Sequence, residues 1–178
     1  ISAIVTGSIS YKNAKLIIDG KEIEVQINEE DLKKITTTNK ITGYERVRYG
    51  STYYTGNCSV VRNFEECSEL YDDEAYKSGN YYSDPDVAAN NVRADTLIRQ
   101  LRRFAVENRK ADIDWIDGNQ NKYYLYYDCS DEKFLIGATS YWKTFGQIYF
   151  DTKAIAQQAI EIFEDELLWY FTEYRDSL

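Results

Sequence analysis

The longest unbroken helical pattern in the chain runs from Ser83 to Lys110, SDPDVAANNVRADTLIRQLRRFAVENRK. At ~100° per residue, Val87, Ala94, Leu97, Ile98, Leu101, Phe104 and Ala105 share an arc of roughly 120°, while Arg99, Arg102, Arg103, Arg109 and Lys110 lie opposite. Asp84-Pro85 is a start signal, because a short acceptor takes the first free amides and proline loses nothing at the first helical position. The pattern predicts a helix of roughly 40 Å with one apolar and one cationic face. A second helical stripe, Ile155, Ala159, Ile162, Phe163, Leu167, Tyr170 and Phe171, predicts a C-terminal helix from about Thr152 to Tyr174, capped by Asp151 or Thr152. Val87, Leu97, Leu101, Phe104 and Ile162 are expected to meet in one core.

Elsewhere the period is that of strands. Ala3 to Ser10 alternates apolar and small polar residues, and AKLIIDGKEIEVQI sets Asp19-Gly20 between two strand-like runs, giving a three-strand N-terminal meander. INEEDLKKI follows as a short helix capped by Asn28. GYERVRYGSTYYTGNCSVVRNF reads as two or three strands with Gly56-Asn57 as the turn. Lys122 to Asp128, Lys133 to Thr139 and Thr144 to Phe150 predict a second meander, with turns near Gly118-Asn119, Ser130-Asp131 and Tyr141-Trp142. The economical assembly is a single α+β domain over residues 1–178, with antiparallel β-meanders packed against one long central helix and a C-terminal helix. Residues 1–40 stand out as a candidate N-terminal subdomain and 41–178 as the main body.

Charge adds a second layer. The 178 residues carry a net charge of -9, which argues against a surface that grips polyanions and for a basic partner. The acids concentrate in two places. Glu65, Glu66, Glu69, Asp72, Asp73 and Glu74 fall within twelve residues that hold no lysine or arginine, and Glu161, Glu164 and Asp165 lie on the last helix. The long helix is net +2 and the stretch from Asp151 to Leu178 net -5. Arg99, Arg102, Arg103 and Arg109 could track a phosphate backbone, or serve as counter-charge within the chain, as Arg103 and Glu107 at i and i+4 suggest. The 17 tyrosines, several in doublets whose side chains must alternate across a strand, predict some exposed rings suited to contacts.

Catalytic grammar is missing. There is no histidine, which closes the usual triads and removes the commonest metal ligand, and no glycine-rich phosphate loop or nucleophile elbow occurs. Asp112, Asp114 and Asp117 are clustered carboxylates, but Ile116 stands where a calcium loop needs an oxygen ligand and Asp117 where it needs glycine. No metal or cofactor is expected, and this loop reads as a helix exit anchoring Trp115 in the core. Cys58, Cys67 and Cys129 show no paired spacing, which fits a reducing cytoplasm.

The phrases GYERVRYGSTYY, GNYYSDPDVAANNVRADTLIRQLRRFAVENRK, KYYLYYD and YWKTFGQIYFDTKAIAQQAIEIFEDELLWYF resemble accessory proteins carried by phages, prophages and plasmids of Firmicutes. The resemblance covers the chain from Gly43 onward and rests on overall phrasing, so it transfers no functional residue. It implies a non-enzymatic inhibitor of host defence, such as an anti-CRISPR, acting in the host cytoplasm. The expected partner is a CRISPR effector such as Cas9, with or without its guide RNA, met through the acidic surface. Nucleic-acid binding by the arginine face is the alternative, and an enzyme without a recognisable site is a third.

Overall fold

The computed structural model describes residues 42–174 together with the strands Tyr11–Ile18 and Lys21–Asn28. The chain divides into two compact units, Ile1–Thr42 and Gly43–Leu178. In the first, β1 (Tyr11–Ile18) and β2 (Lys21–Asn28) pair antiparallel from Tyr11↔Asn28 to Ile18↔Lys21. The expected strand over 3–10, the Asp19-Gly20 turn and the helix after Asn28 lie outside the described residues.

The second unit contains β3 (Thr52–Asn57), β4 (Val60–Glu65), α1 (Leu70–Lys77), α2 (Pro85–Glu107), β5 (Lys122–Asp128), β6 (Lys133–Thr139) and α3 (Lys153–Thr172). The strands form antiparallel two-stranded sheets, so the fold class is α+β. In the β3–β4 hairpin Asn57 pairs with Val60. The turn is therefore Cys58-Ser59, two residues beyond the Gly56-Asn57 turn expected from the sequence. Cys58 takes φ 58° there, the positive value that the first central residue of a tight hairpin turn requires. Gly56 serves close packing instead. A Cβ at this position would meet Val92 Cγ2 at 2.7 Å, so its lack of a side chain lets β3 close on α2. Asn80 completes that contact, accepting from the Gly56 amide at 2.7 Å and donating to its carbonyl at 2.9 Å.

Helix α2 forms where its pattern places it. The Asp84 carboxylate accepts from the Asp86 and Val87 amides at 2.8 and 3.1 Å, and Pro85 opens the helix. Its 23 residues span ~35 Å. Leu97, Leu101 and Ala105 bury into the main core with Leu125 and Phe150, and with Ile155, Ala159 and Leu167 from α3. Phe104 packs against this core half-buried. Val87 is also half-buried, over Gly43 at the far end of the helix.

Helix α3 is capped by Thr152, whose hydroxyl accepts from the Ile155 amide at 3.3 Å. Asp151, the other cap candidate, instead takes the Lys110 and Ala111 amides at 2.7 and 3.0 Å and ties the exit of α2 to the start of α3. The buried stripe of α3 is Ile155, Ala156, Ala159, Ile160, Leu167 and Trp169. Ile162, expected in the core, is 61% exposed. Phase alone does not expose it, since Ile162 lies one heptad, ~20°, from Ile155, which is 3% exposed; it stands at the point where the helix departs from regular geometry. Phe163 then breaks the helical geometry (φ -111°, ψ 17°) and turns its ring edge-on to Phe104.

The expected third strand of the second meander, Thr144 to Phe150, contributes one bridge, Phe150 to Tyr123. Gly146 at φ 77° and the bond from the Gln147 amide to the Thr144 carbonyl at 3.3 Å turn the chain away before a ladder can extend. At the β5–β6 turn, Asp128 accepts from the Ser130 amide and hydroxyl and from the Asp131 amide. These bonds, those from Ser130 first, hold its carboxyl below its ordinary range.

Candidate partner-binding surface

The acidic run of residues 65–76 divides into an inner and an outer set. Glu66 is 1% exposed and Asp72 4%; an unpaired carboxylate at either depth would cost several kcal/mol. Each is satisfied. Arg46 grips Glu66 through Nε at 3.0 Å and Nη2 at 2.8 Å, Tyr81 donates its hydroxyl at 2.8 Å, and the Ser68 amide donates at 2.9 Å. Asp72 accepts from the Tyr53 hydroxyl at 2.6 Å and from the Cys67 and Glu69 amides at 2.9 and 3.1 Å. The last of these bonds closes a capping box at the start of α1. Asp73, half-buried, takes the remaining Arg46 nitrogen at 2.6 Å. Tyr53 and Tyr81 stack with centroids 4.1 Å apart and planes 10° from parallel.

This arrangement corrects the expectation for the first patch. Glu66 and Asp72 are structural anchors with no surface to offer a partner, and Asp73 is engaged by Arg46. Glu65, Glu69 and Glu74 are left exposed. The Arg46 ion pair, ahead of the bond from Tyr81, pulls Glu66 below the usual carboxylate range, although burial alone would raise it. The Tyr53 hydroxyl does most of the same for Asp72. Burial, with the Glu66 bond, pushes Tyr81 up to about 12.

A pH dependence follows. Carboxylates depressed in the folded state stabilise it fully above their unfolded values of ~4.3 and ~3.9, and this contribution is lost as pH falls through the folded values. The melting temperature should therefore hold between about pH 6 and 5 and drop steeply below about pH 4. Glu66→Gln should flatten that drop. A wild-type melting temperature that stays level down to pH 3 would contradict the account.

The second patch has a different character. Glu161, Glu164 and Asp165 are all exposed around the α3 kink, beside exposed Ile162. They rim a shallow cleft of about 300 Å³. Glu161 accepts from the Gln157 amide group at 3.2 Å, and no described cation forms an ion pair with any of the three. Their neighbour Glu166 is already taken: Arg93 holds it at 2.8 and 3.1 Å while lying 3.9 Å over the Trp169 ring. This bridge fastens α2 to α3 and leaves the acids beyond it open.

The arginines are dispersed into local contacts. Arg99 donates to the Cys58 carbonyl at 2.6 Å and to the Thr96 hydroxyl at 3.0 Å. Arg103 lies 3.9 Å from Glu107 and Arg109 3.6 Å from Asp112. Arg102 alone of the four makes no ion pair or hydrogen bond with a described residue, and it lines a groove with Leu97, Ile98 and Leu101 instead of lying opposite them as expected, since it follows Ile98 by about 40° around the helix. The carboxylates of Asp114 and Asp117 accept from the amides of Ile116 and Asn119, both at 2.8 Å, closing their own turns. Among the described residues no three histidine, cysteine or acidic side chains gather as a metal site would require. Trp115, expected in the core, is half-buried instead, edge-on to Tyr149 and under the Lys143 ammonium at 4.7 Å.

Two features escape the sequence reading. One is Arg46, whose role is set by folding across twenty residues. The other is the loop after β6, which exposes Tyr141, Trp142 and Phe145 although hydrogen bonds hold it in shape. Buried Lys122 donates to the Ser140 carbonyl at 3.1 Å, the Trp142 amide binds the Thr139 hydroxyl at 3.0 Å, and the Thr144 amide binds the Tyr149 hydroxyl at 2.8 Å. Its signal was a dense group of aromatics in a segment otherwise polar and turn-like. No known protein family, characterised protein or solved structure matches this chain. No helix among the described residues is long and apolar enough to cross a membrane.

Proposed function

We propose that this protein acts by binding, as a phage-type, non-enzymatic inhibitor of a host defence effector, and that a CRISPR nuclease such as Cas9 is its target in the host cytoplasm. The contact is the acidic face of α3, with Glu65, Glu69 and Glu74 as outlying charges. One observation carries the reading: Glu161, Glu164 and Asp165 stand exposed beside Ile162 with no described cation paired to them. A carboxylate cluster next to an exposed aliphatic side chain suits the basic channel of a nucleic-acid-handling protein, because channels that hold a guide–target duplex are positively charged and read its backbone. Charges that pair with no described cation can meet cations of a partner without first breaking an ion pair to a described residue. The arginine face is less suited to a phosphate backbone, since three of its four members already contact carboxylates or a carbonyl within the chain.

The test is charge reversal with purified components. Glu161→Lys, Glu164→Lys and Asp165→Lys together should weaken binding to the effector at least ~10-fold, about 1.4 kcal/mol, and should leave the fold intact, since surface changes usually shift stability by less than ~0.5 kcal/mol. Arg99→Glu with Arg103→Glu should change affinity by less than ~3-fold. The reverse pattern would make the cationic helix face the binding surface and nucleic acid its ligand.

A further inference from the structure

Between α2, β5, the loop after β6 and the end of α3 lies a groove of about 400 Å³ whose lining is mainly apolar, with Gln147 and Arg102 among the polar side chains. Its floor reaches Leu97, Leu101, Leu125 and Phe150, all of them core residues no more than 8% exposed. Folded interiors pack as densely as organic crystals and leave few voids larger than a water molecule. An apolar cleft of this size opening onto the core is therefore a place where apolar surface awaits a partner. The rim is equally unusual: Phe145 is fully exposed, and Tyr126 and Phe171 expose 42% and 38% of their surface. Phe145 sits on the hydrogen-bonded loop that follows β6, so the lip is held out in water by a fixed backbone.

The one charged residue lining the groove is Arg102, whose guanidinium has no ion-pair or hydrogen-bond partner among the described residues. No acid lines it. We propose that this groove binds a long-chain carboxylate, with the acyl chain along the apolar floor and the carboxylate on Arg102. The volume lies within the ~300–1,000 Å³ typical of small-molecule sites. An acyl chain carries no hydrogen-bonding group that an apolar floor would leave unsatisfied. A guanidinium at the groove's mouth gives a carboxylate a charge-assisted, two-pronged contact that a neutral end group cannot use.

The probe is dodecanoate below its micellar concentration, titrated into the full chain by calorimetry, with dodecanol as the uncharged comparison. Expected is saturable binding of one dodecanoate per chain, at least 10-fold tighter than the alcohol. Arg102→Glu should remove that preference. Ile98→Trp, which places a large ring in the groove, should abolish binding of both probes, and its unfolding transition should remain cooperative. Phe145→Ala, on the exposed lip, gives a second variant that does not touch the core and should weaken dodecanoate binding at least 3-fold. Absence of saturable binding overturns the proposal. So does equal affinity for acid and alcohol, and so does binding that survives both Ile98→Trp and Phe145→Ala, which would place the chain elsewhere. If partner proteins bearing apolar side chains bind this face while dodecanoate does not, the groove is a protein-docking surface and the proposal fails.

Discussion

Replacing Glu66 by alanine is expected to destabilise the second unit by about 3–5 kcal/mol, the range for breaking a buried ion pair from one side. The residue is 1% exposed and accepts from Arg46, Tyr81 and the Ser68 amide. Its removal takes the acceptor from the Tyr81 hydroxyl and from two of the three Arg46 nitrogens, Asp73 keeping the third at 2.6 Å, and leaves a cavity beside them. The consequence should spread, because Tyr81 stacks on Tyr53 and Tyr53 donates to Asp72, so one vacancy loosens the cage that holds α1 against the β3–β4 hairpin. Urea unfolding monitored by circular dichroism measures the loss. Adding Arg46→Ala to Glu66→Ala should cost less than Arg46→Ala does in the wild type, since only the half-exposed Asp73 pair is then left to break. A Glu66→Ala loss below about 1 kcal/mol would mean that the network is not a structural anchor.

Leu101→Ala should cost about 2–5 kcal/mol, the usual span for a buried leucine whose cavity only partly collapses. Leu101 is 6% exposed and belongs to the cluster shared by α2, β5 and α3. Ile162→Ala removes a side chain of the same size from the other helix and should cost less than about 1 kcal/mol, because 61% of that residue already meets water. The contrast between the two is the sharper measurement. Equal losses would show that Ile162 is buried and that the exposed side of α3 is other than described.

That pair also shows what was legible in the sequence and what was not. The whole course of α2 could be read, because an aspartate cap, a proline and a long run without glycine all agree with the period of the apolar residues. The boundaries of α3 were equally legible. Its buried face was not, since a stripe drawn through the largest apolar residues passes over Ala156 and cannot show the break at Phe163. Hairpin β5–β6 followed from its alternation, whereas the β3–β4 turn fell two residues late because Gly56 is used for close packing and not for its turn. The acidic segment misled for a related reason. A run of six acids without a neighbouring cation looks like solvent-facing charge, and only the fold delivers Arg46, Tyr53 and Tyr81 to neutralise its inner members. The α3 acids were identified by composition alone, and in the structure they stand exposed around the break at Phe163.

The central claim is that an acidic face substitutes for nucleic acid in a basic channel. Its most direct test measures fluorescence anisotropy of a labelled target duplex on guide-loaded Cas9 while this protein is titrated in. The account predicts displacement of the duplex, weakening as salt rises because exposed charges more than ~8 Å apart are screened at physiological ionic strength, and no displacement by the Glu161→Lys, Glu164→Lys, Asp165→Lys variant. Displacement by that variant equal to wild type, or retention of the duplex by this protein alone through Arg99 and Arg103, would contradict it.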